Sequence, residues 1–381
     1  MKRINFFKIC LIIASICILL TGNIFAQDDI KIGIYHPLSG PSAFCGEQAV
    51  NGAILAVEEI NNNGGVLNNQ INLIAEDNEN DVTTTVTVVR KLILQDDVCA
   101  LIGDYFSSCT LAGMEVAAQY EVPNVCGISA SPKITSSGNQ WIFRTAPTDA
   151  MNSETYVKYI VDTLGYKTFT FMASDDQFGM DAVEAYAPVL QKYGAEILDR
   201  VYFSENSTDF RSEITQIKQK SPEVVVLVSG GTAGALFCKQ GNELGLESVI
   251  MGLGTQAEQE FIETAGAGAE GVYCATTYLY TLDTPENNLF VEKYNKRFGA
   301  MPSEYSLSGY RNVRVIKEAI ERAGTTDSTA IRNALRETDY MGIAGPIKFD
   351  ENGQSYPWIF ITKIENGKLT IVERAETVKP L

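Results

Sequence analysis

The sequence predicts an α/β protein of two lobes, each a parallel sheet with helices on both faces. Three observations carry this. From Ile30 onward, short apolar runs rich in Val, Ile and Phe alternate with longer stretches of helical period. The alternation runs through two consecutive series of similar size, with a break after Arg144. Length and composition also fit, because 381 residues, 45% hydrophobic and 20% charged, can fill two cores. No low-complexity linker separates the series, which argues for lobes that exchange segments rather than beads on a string.

In the first series the apolar runs predict strands over 30–35, 70–75, 99–102 and 123–128. The helical-period stretches predict helices over 48–62, ending at Gly64-Gly65, and over 83–94 and 111–120. The second series predicts a helix over 153–164, a strand over 168–173, a helix over 181–192 and a strand over 201–203. It continues as helix 210–218, strand 224–228, helix 234–242 and strands 249–251 and 272–276. The segment 289–338 is almost entirely of helical pattern. The tail holds antiparallel-looking strands over 347–349, 358–364 and 369–372, the last two joined by Glu365-Asn366-Gly367, an Asn-Gly hairpin signal.

The first 26 residues read differently. Lys2, Arg3 and Lys8 precede an apolar run over 9–20 that ends at Thr21-Gly22-Asn23, the pattern of a secretory signal peptide cleaved after Ala26. The run is shorter than the roughly 20 residues that span a bilayer. Cys17 follows Ile16 and Cys10 follows Lys8-Ile9 rather than small residues, which argues against a lipid anchor. The chain carries 30 basic and 47 acidic residues for a net −17. Without this segment the balance is −20. So acidic a chain repels phosphate backbones and anionic lipid heads, so neither nucleic acid nor a membrane surface is predicted as partner. The six cysteines of the mature chain (Cys45, Cys99, Cys109, Cys126, Cys238 and Cys274) are irregularly spaced and allow 15 pairings. At most one or two bridges are expected, the others being small buried hydrophobes.

Catalytic chemistry finds little support. His36 is the single histidine, so a two-His metal site is excluded, and no acid, base and nucleophile set assembles. We read His36 as a loop residue. Gly266-Ala267-Gly268-Ala269-Glu270-Gly271 has the letters of a dinucleotide fingerprint but follows a helix and precedes a strand, the reverse of what pyrophosphate binding needs. Gly252-Leu253-Gly254 is read as a tight turn at a strand end, which can still touch a ligand. Asp77 to Asp81 resembles the start of a calcium loop, but Val82 stands where glycine is required, so Asp81 is read as a helix cap. No cofactor, no metal and no enzyme activity are predicted.

Two polar clusters are informative. Gly103 to Thr110, with Tyr105, Phe106, Ser107 and Ser108, and Gly127 to Pro132, with Ile128, Ser129, Ala130 and Ser131, each follow a predicted strand. Helix capping explains either alone. Together, at the ends of consecutive strands, they favour one small-molecule site with hydroxyls and backbone N–H groups for a carboxylate.

Ile30-Lys31-Ile32-Gly33, then Leu38-Ser39-Gly40-Pro41, Gly46, 56–61 and Gly64-Gly65 resemble the opening of the Leu/Ile/Val-type periplasmic binding proteins of ABC importers. Ile102-Gly103, Ser107-Ser108, Ser131-Pro132, 143–149, Gln177-Phe178-Gly179, Glu270-Gly271-Val272 and 349–353 extend the resemblance over the mature chain. It implies the type I periplasmic-binding fold, two Rossmann-like lobes joined by three crossovers near 146–149, 276–278 and 350–355. The implied division is a 1–26 signal peptide, an N-terminal lobe of 27–147 plus 277–352, and a C-terminal lobe of 148–276 plus 353–381. By resemblance Ser107 binds the ligand carboxylate, Ile128 and Ala130 contact the head group and Phe178 is a second-lobe aromatic. Thr232 stands at a tyrosine position, and Gly254 replaces the glutamate that pairs with the ammonium.

The expected function is an exported, periplasmic, monomeric solute-binding protein. It would deliver a small branched-chain or aliphatic amino acid to a membrane permease by closing over it, with Tyr105, Phe106 and Phe178 lining the apolar part of the cleft. With Gly254 in place of glutamate, a carboxylate lacking an amino group is an alternative ligand, and a sensor using the same fold is an alternative role.

Overall fold

The computed structural model describes residues 29–377; the predicted export segment lies outside them. The chain opens with β1 (Ile30–His36), α1 (Ala43–Asn62), β2 (Ile71–Asp77), α2 (Val82–Leu94), β3 (Ala100–Ile102), α3 (Ser107–Gln119), β4 (Asn124–Cys126), the short α4 (Lys133–Ser136) and β5 (Ile142–Arg144). The five strands form a parallel sheet in the order β2-β1-β3-β4-β5. Ile30, Ile32 and Ile34 of β1 are buried, as a strand covered on both faces requires. Asp81 caps α2 by accepting the Thr84 N–H at 2.7 Å.

A second series follows: α5 (Asp149–Lys158), continued by a π-helical turn over Tyr159–Thr163, β6 (Thr168–Ser174), α6 (Gln177–Lys192), β7 (Glu196–Phe203), α7 (Arg211–Lys220), β8 (Val224–Val228), α8 (Gly231–Glu243), β9 (Val249–Gly252), α9 (Gln259–Ala265) and β10 (Tyr273–Thr276). The chain then returns to the first sheet with α10 (Pro285–Phe298), α11 (Glu304–Ala323) and α12 (Ser328–Arg336). A separate hairpin of β11 (Asp339–Gly342) and β12 (Gly345–Lys348) comes next. Finally β13 (Trp358–Glu365) and β14 (Lys368–Glu376) add antiparallel strands to the second sheet, whose order is β14-β13-β10-β9-β8-β6-β7. Asn366 and Gly367 turn that last hairpin with φ of 53° and 70°, the mirror-image turn that only such residues adopt readily. The chain therefore passes between the sheets three times, after β5, after β10 and between β12 and β13.

Several local readings change. Helix α3 begins at Ser107, four residues before its apolar period starts, and β5 is a strand that the pattern did not disclose. His36 is not a loop residue but the buried end of β1, 3.8 Å from Asp104, and burial pushes its imidazole down to about 3. All six cysteines are unpaired among the described residues. Cys109, Cys126, Cys238 and Cys274 are buried and serve as small core side chains.

Two constructions fix the first lobe against the crossovers. Arg144, fully buried at the end of β5, donates from Nε to Gln354 Oε1 at 2.8 Å, from Nη1 to the Ser129 and Ser131 carbonyls and from Nη2 to Thr135 Oγ1. Gln354 in turn donates to the Ala146 carbonyl at 2.8 Å. Helices α1 and α11 meet through glycines. A Cβ on Gly52 would stand 1.8 Å from the Ser306 carbonyl oxygen, and one on Gly309 would stand 1.9 Å from that of Ala49. This close approach sets the start of α11, and so Glu304 and Tyr305, at the cleft.

Gly309→Ala tests that packing. Helix propensity alone would favour alanine by about 1 kcal/mol, but a backbone oxygen cannot yield as a flexible side chain can. The expected result is a net destabilisation of roughly 1–3 kcal/mol in urea unfolding. A stabilised variant would show that the two helices separate freely.

Candidate ligand-binding cleft

Both sheets present the carboxyl ends of their strands to one crevice, where ligands of open α/β sheets bind. The crevice encloses a cavity of about 80 Å³, room for on the order of six waters. That suits a small molecule. From the first sheet come Tyr105, Phe106 and Ser107 after β3 and Ile128 and Ala130 after β4. Asp176 and Phe178 at the start of α6, Glu205 after β7, and Leu253 and Gly254 after β9 form the facing wall. Ala146, Pro147, Thr276 and Thr277 line it from the crossovers, and Glu304 and Tyr305 from α11. Tyr305 meets Tyr105 edge to face at 5.1 Å, a contact worth about 0.5–1.5 kcal/mol.

One end of the cavity suits an anion. Ser107 is the first residue of α3 and 2% exposed. Phe106 occupies the N-cap position and offers no side-chain acceptor, so the first-turn N–H groups of α3 lack a cap. Two other helices that start at the cavity are capped by the chain itself: Thr148 accepts from Met151 N on α5, and Asp176 accepts from Gly179 N on α6.

The rest of the wall is acidic. Asp149, Asp176, Glu205 and Glu304 line the cavity, and among the described residues no Lys, Arg or His does. Glu304 is already engaged, accepting hydrogen bonds from Thr276 Oγ1 at 2.7 Å, from the Thr277 hydroxyl and from Thr277 N at 3.3 Å. Its Oε2 lies 3.3 Å from where a Gly254 Cβ would be. A carboxylate thus stands beside Gly254 after all, supplied from α11. Asp149 and Glu205 each keep one buried oxygen, Oδ2 and Oε2, without a hydrogen-bond partner. The lobes touch around the cavity: Asp181 of α6 accepts from Lys133 Nζ at 2.6 Å and from the Ser131 hydroxyl.

Of the residues singled out in the sequence, Tyr105, Phe106, Ser107, Ile128, Ala130, Phe178 and Gly254 stand on the cavity wall. Ser108, Ser129 and Thr232 do not. Ser129 Oγ braces the preceding loop by donating to the Asp104 and Tyr105 carbonyls, both at 3.0 Å. Ser108 is half-buried off the wall, and Thr232 is exposed in the first turn of α8. Sequence reasoning missed Asp149, Asn152, Asp176, Glu205, Glu304 and Tyr305. Asp149 closes the 143–149 stretch and Asp176 sits at a helix cap, so both had a local signal. Glu205 and Glu304 had none, because only the fold brings them to the crevice.

Residues 29–368 match the periplasmic binding protein family. The chain is 26% identical over 328 residues to the leucine-, isoleucine-, valine-, threonine- and alanine-binding protein of Pseudomonas aeruginosa, covering 86% of this chain and 87% of that one. It is 29% identical over 366 residues to Leu/Ile/Val-binding protein homolog 7 of Brucella abortus, 91% of each chain. Among solved structures, the branched-chain amino acid transporter substrate-binding protein of Streptococcus pneumoniae in complex with isoleucine superposes with a TM-score of 0.86 at 24% identity, over 92% of this chain and 100% of that one. A Rhodopseudomonas palustris solute-binding protein in complex with benzoate gives 0.86 at 19% identity, over 92% and 98%.

The buried acids make stability depend on pH. Burial pushes Asp104 and Asp149 up to about 7, and it pushes Glu205 and Glu258 up to about 8, with the neighbouring charges of Asp176 and Glu304 adding to it. Their folded values lie above the unfolded ones near 4. In between, the folded protein holds protons that the unfolded chain has released, so stability falls as pH rises. His36 acts in the opposite sense, but only below about 6.5. The ligand-free Tm should therefore fall between pH 6.5 and 8.5, and Asp149→Asn or Glu205→Gln should each flatten the slope. A Tm independent of pH over that range would contradict the assignment.

Proposed function

The chain belongs to the periplasmic binding protein family, and from that membership we propose that it is an extracytoplasmic solute-binding protein that captures a small amino acid and hands it to the membrane permease of an ABC importer. It works as a monomer, exported by the 1–26 segment, and releases its ligand unchanged. The lobes that move are 27–147 plus 277–352 and 148–276 plus 353–381. Closure is favoured by contacts that only the closed form makes: the bonds of Asp181 to Lys133 and Ser131 across the cleft are of that kind.

The observation that carries the amino-acid reading is the polarity of the cavity. Ser107 and the uncapped N–H groups of α3 receive the carboxylate. The ammonium faces Asp149 Oδ2 and Asn152 Oδ1, two unpartnered acceptors three residues apart on one face of α5. Asp149 N donates to the Ala130 carbonyl at 3.0 Å, and Ser131 N lies 3.4 Å from Ser107 Oγ. The two head-group sites are thus adjacent through 130–131. The branched-chain and aliphatic amino acids named for the relatives are the first candidates, with Tyr105, Phe106, Phe178 and Tyr305 as apolar wall. A carboxylate without an amino group is the second reading, favoured by Gly254, but it would place an anion among acids that no protein cation balances.

Thermal shifts with amino acids and their des-amino analogues separate the two. Amino acids should stabilise the protein and the analogues should not; equal shifts would mean that no ammonium site exists. Ser107→Ala should weaken every carboxylate ligand about tenfold or more, since a hydrogen bond to a charged group contributes roughly 1.5–3 kcal/mol. Unchanged affinity would remove Ser107 from the site.

A further inference from the structure

We infer that the ligand carries a second cationic group, held by Glu205 and Asp176, so that the amino acid captured is a diamino or basic one. The inference rests on the amino-acid reading and sharpens its substrate class.

Three buried side-chain atoms on the cavity wall have no hydrogen-bond partner: Asp149 Oδ2, Asn152 Oδ1 and Glu205 Oε2. Asn152 Oδ1 is an acceptor, and the two acids become acceptors when a bound cation displaces the protons that burial lets them keep. A buried carboxylate oxygen without a donor is costly to fold around, and Asp149 is buried to within 2% of complete. A cavity with this pattern demands a ligand rich in donors. One α-ammonium meets Asp149 and Asn152, which stand on the same face of α5. Glu205 is held at a different place: it follows β7 and accepts the Gly230 N–H at the start of α8, whereas Asp149 opens α5 and donates its N–H to the Ala130 carbonyl.

The local build supports a cation at Glu205. Its Oε1 accepts the Gly230 N–H at the start of α8, 2.8 Å away, which anchors the carboxylate and leaves Oε2 for the ligand. A side chain at Gly230 would occupy the carboxylate's place, its Cβ falling 2.2 Å from Oε1. Asp176, bound through Oδ1 to Gly179 N and Ser174 Oγ, adds negative charge beside it. Glu304 does not enter the count, because its carboxylate is taken up by Thr276 and Thr277. The same wall carries aromatic side chains. Tyr105 and Phe178 can cover the methylene stem of a basic side chain while its head reaches the carboxylates.

Calorimetric titration of ligand-stripped protein with lysine, ornithine, 2,4-diaminobutyrate, leucine and norleucine decides the matter, norleucine having an unbranched stem without a terminal amine. At least one diamino acid should bind ten times more tightly than norleucine or leucine. Glu205→Gln should remove most of that advantage, and cooperative thermal unfolding of the ligand-free variant shows that it is folded. Leucine or norleucine binding as tightly as every diamino acid overturns the inference and leaves the amino-acid reading intact. A diamino acid whose affinity survives Glu205→Gln and Asp176→Asn overturns it as well. Wild-type protein that binds none of the five overturns both.

Discussion

The cleft depends on the buried guanidinium of Arg144. This cation has no carboxylate within ion-pair distance among the described residues. It is solvated instead by neutral acceptors: Gln354 Oε1, the Ser129 and Ser131 carbonyls and Thr135 Oγ1. Burial lowers it only to about 10, so it stays charged at neutral pH. A buried charge held this way requires every acceptor to stay in place. Those acceptors are the loop that carries Ile128 and Ala130, the short helix α4 and the last crossover. The backbone reinforces the same junction, with Arg144 N donating to the Gly353 carbonyl and Ser355 N to that of Arg144. One side chain thereby ties the ligand-facing loop to two of the three passages between the sheets.

Around this fixed junction the two walls of the crevice differ in how they treat helix ends. On the second lobe the chain supplies its own anions: Asp176 caps α6, and Glu205 sits on the start of α8. On the first lobe α3 begins with Phe106 and Ser107 and lacks a side-chain cap. The positive end of a helix dipole is therefore open on one side of the cavity and covered by carboxylates on the other. The proposed zwitterionic ligand would fit that gradient in one orientation, whatever its side chain.

Much of the fold was legible in the chain. Alternating apolar runs and helical periods mark nearly every strand and helix of both sheets, since a strand buried on both faces must be uniformly apolar, as Val224 to Val228 is. Short elements with mixed composition were not legible. Strand β5 is three residues ending in an arginine, and no periodicity can report an arginine that is buried because distant carbonyls converge on it. The start of α3 was displaced for a related reason: Ser107, Ser108 and Thr110 are polar residues that a helix ordinarily shows to water, yet here Ser107 and Thr110 are buried.

The sequence by itself determined the two-lobed α/β architecture and the serine-rich strand ends. These are properties of contiguous residues, in which backbone geometry and side-chain chemistry are written together. Tertiary structure alone decided the charge of the cavity. Glu205, Glu304, Asp149 and Asp176 come from four separate segments, and each taken singly is an ordinary surface or capping acid. Their meaning changes only when the sheets face each other and a buried carboxylate oxygen is left without a protein donor. Gly254 shows the same limit: its missing side chain reads as a lost charge until α11 is seen to place the carboxylate of Glu304 beside it.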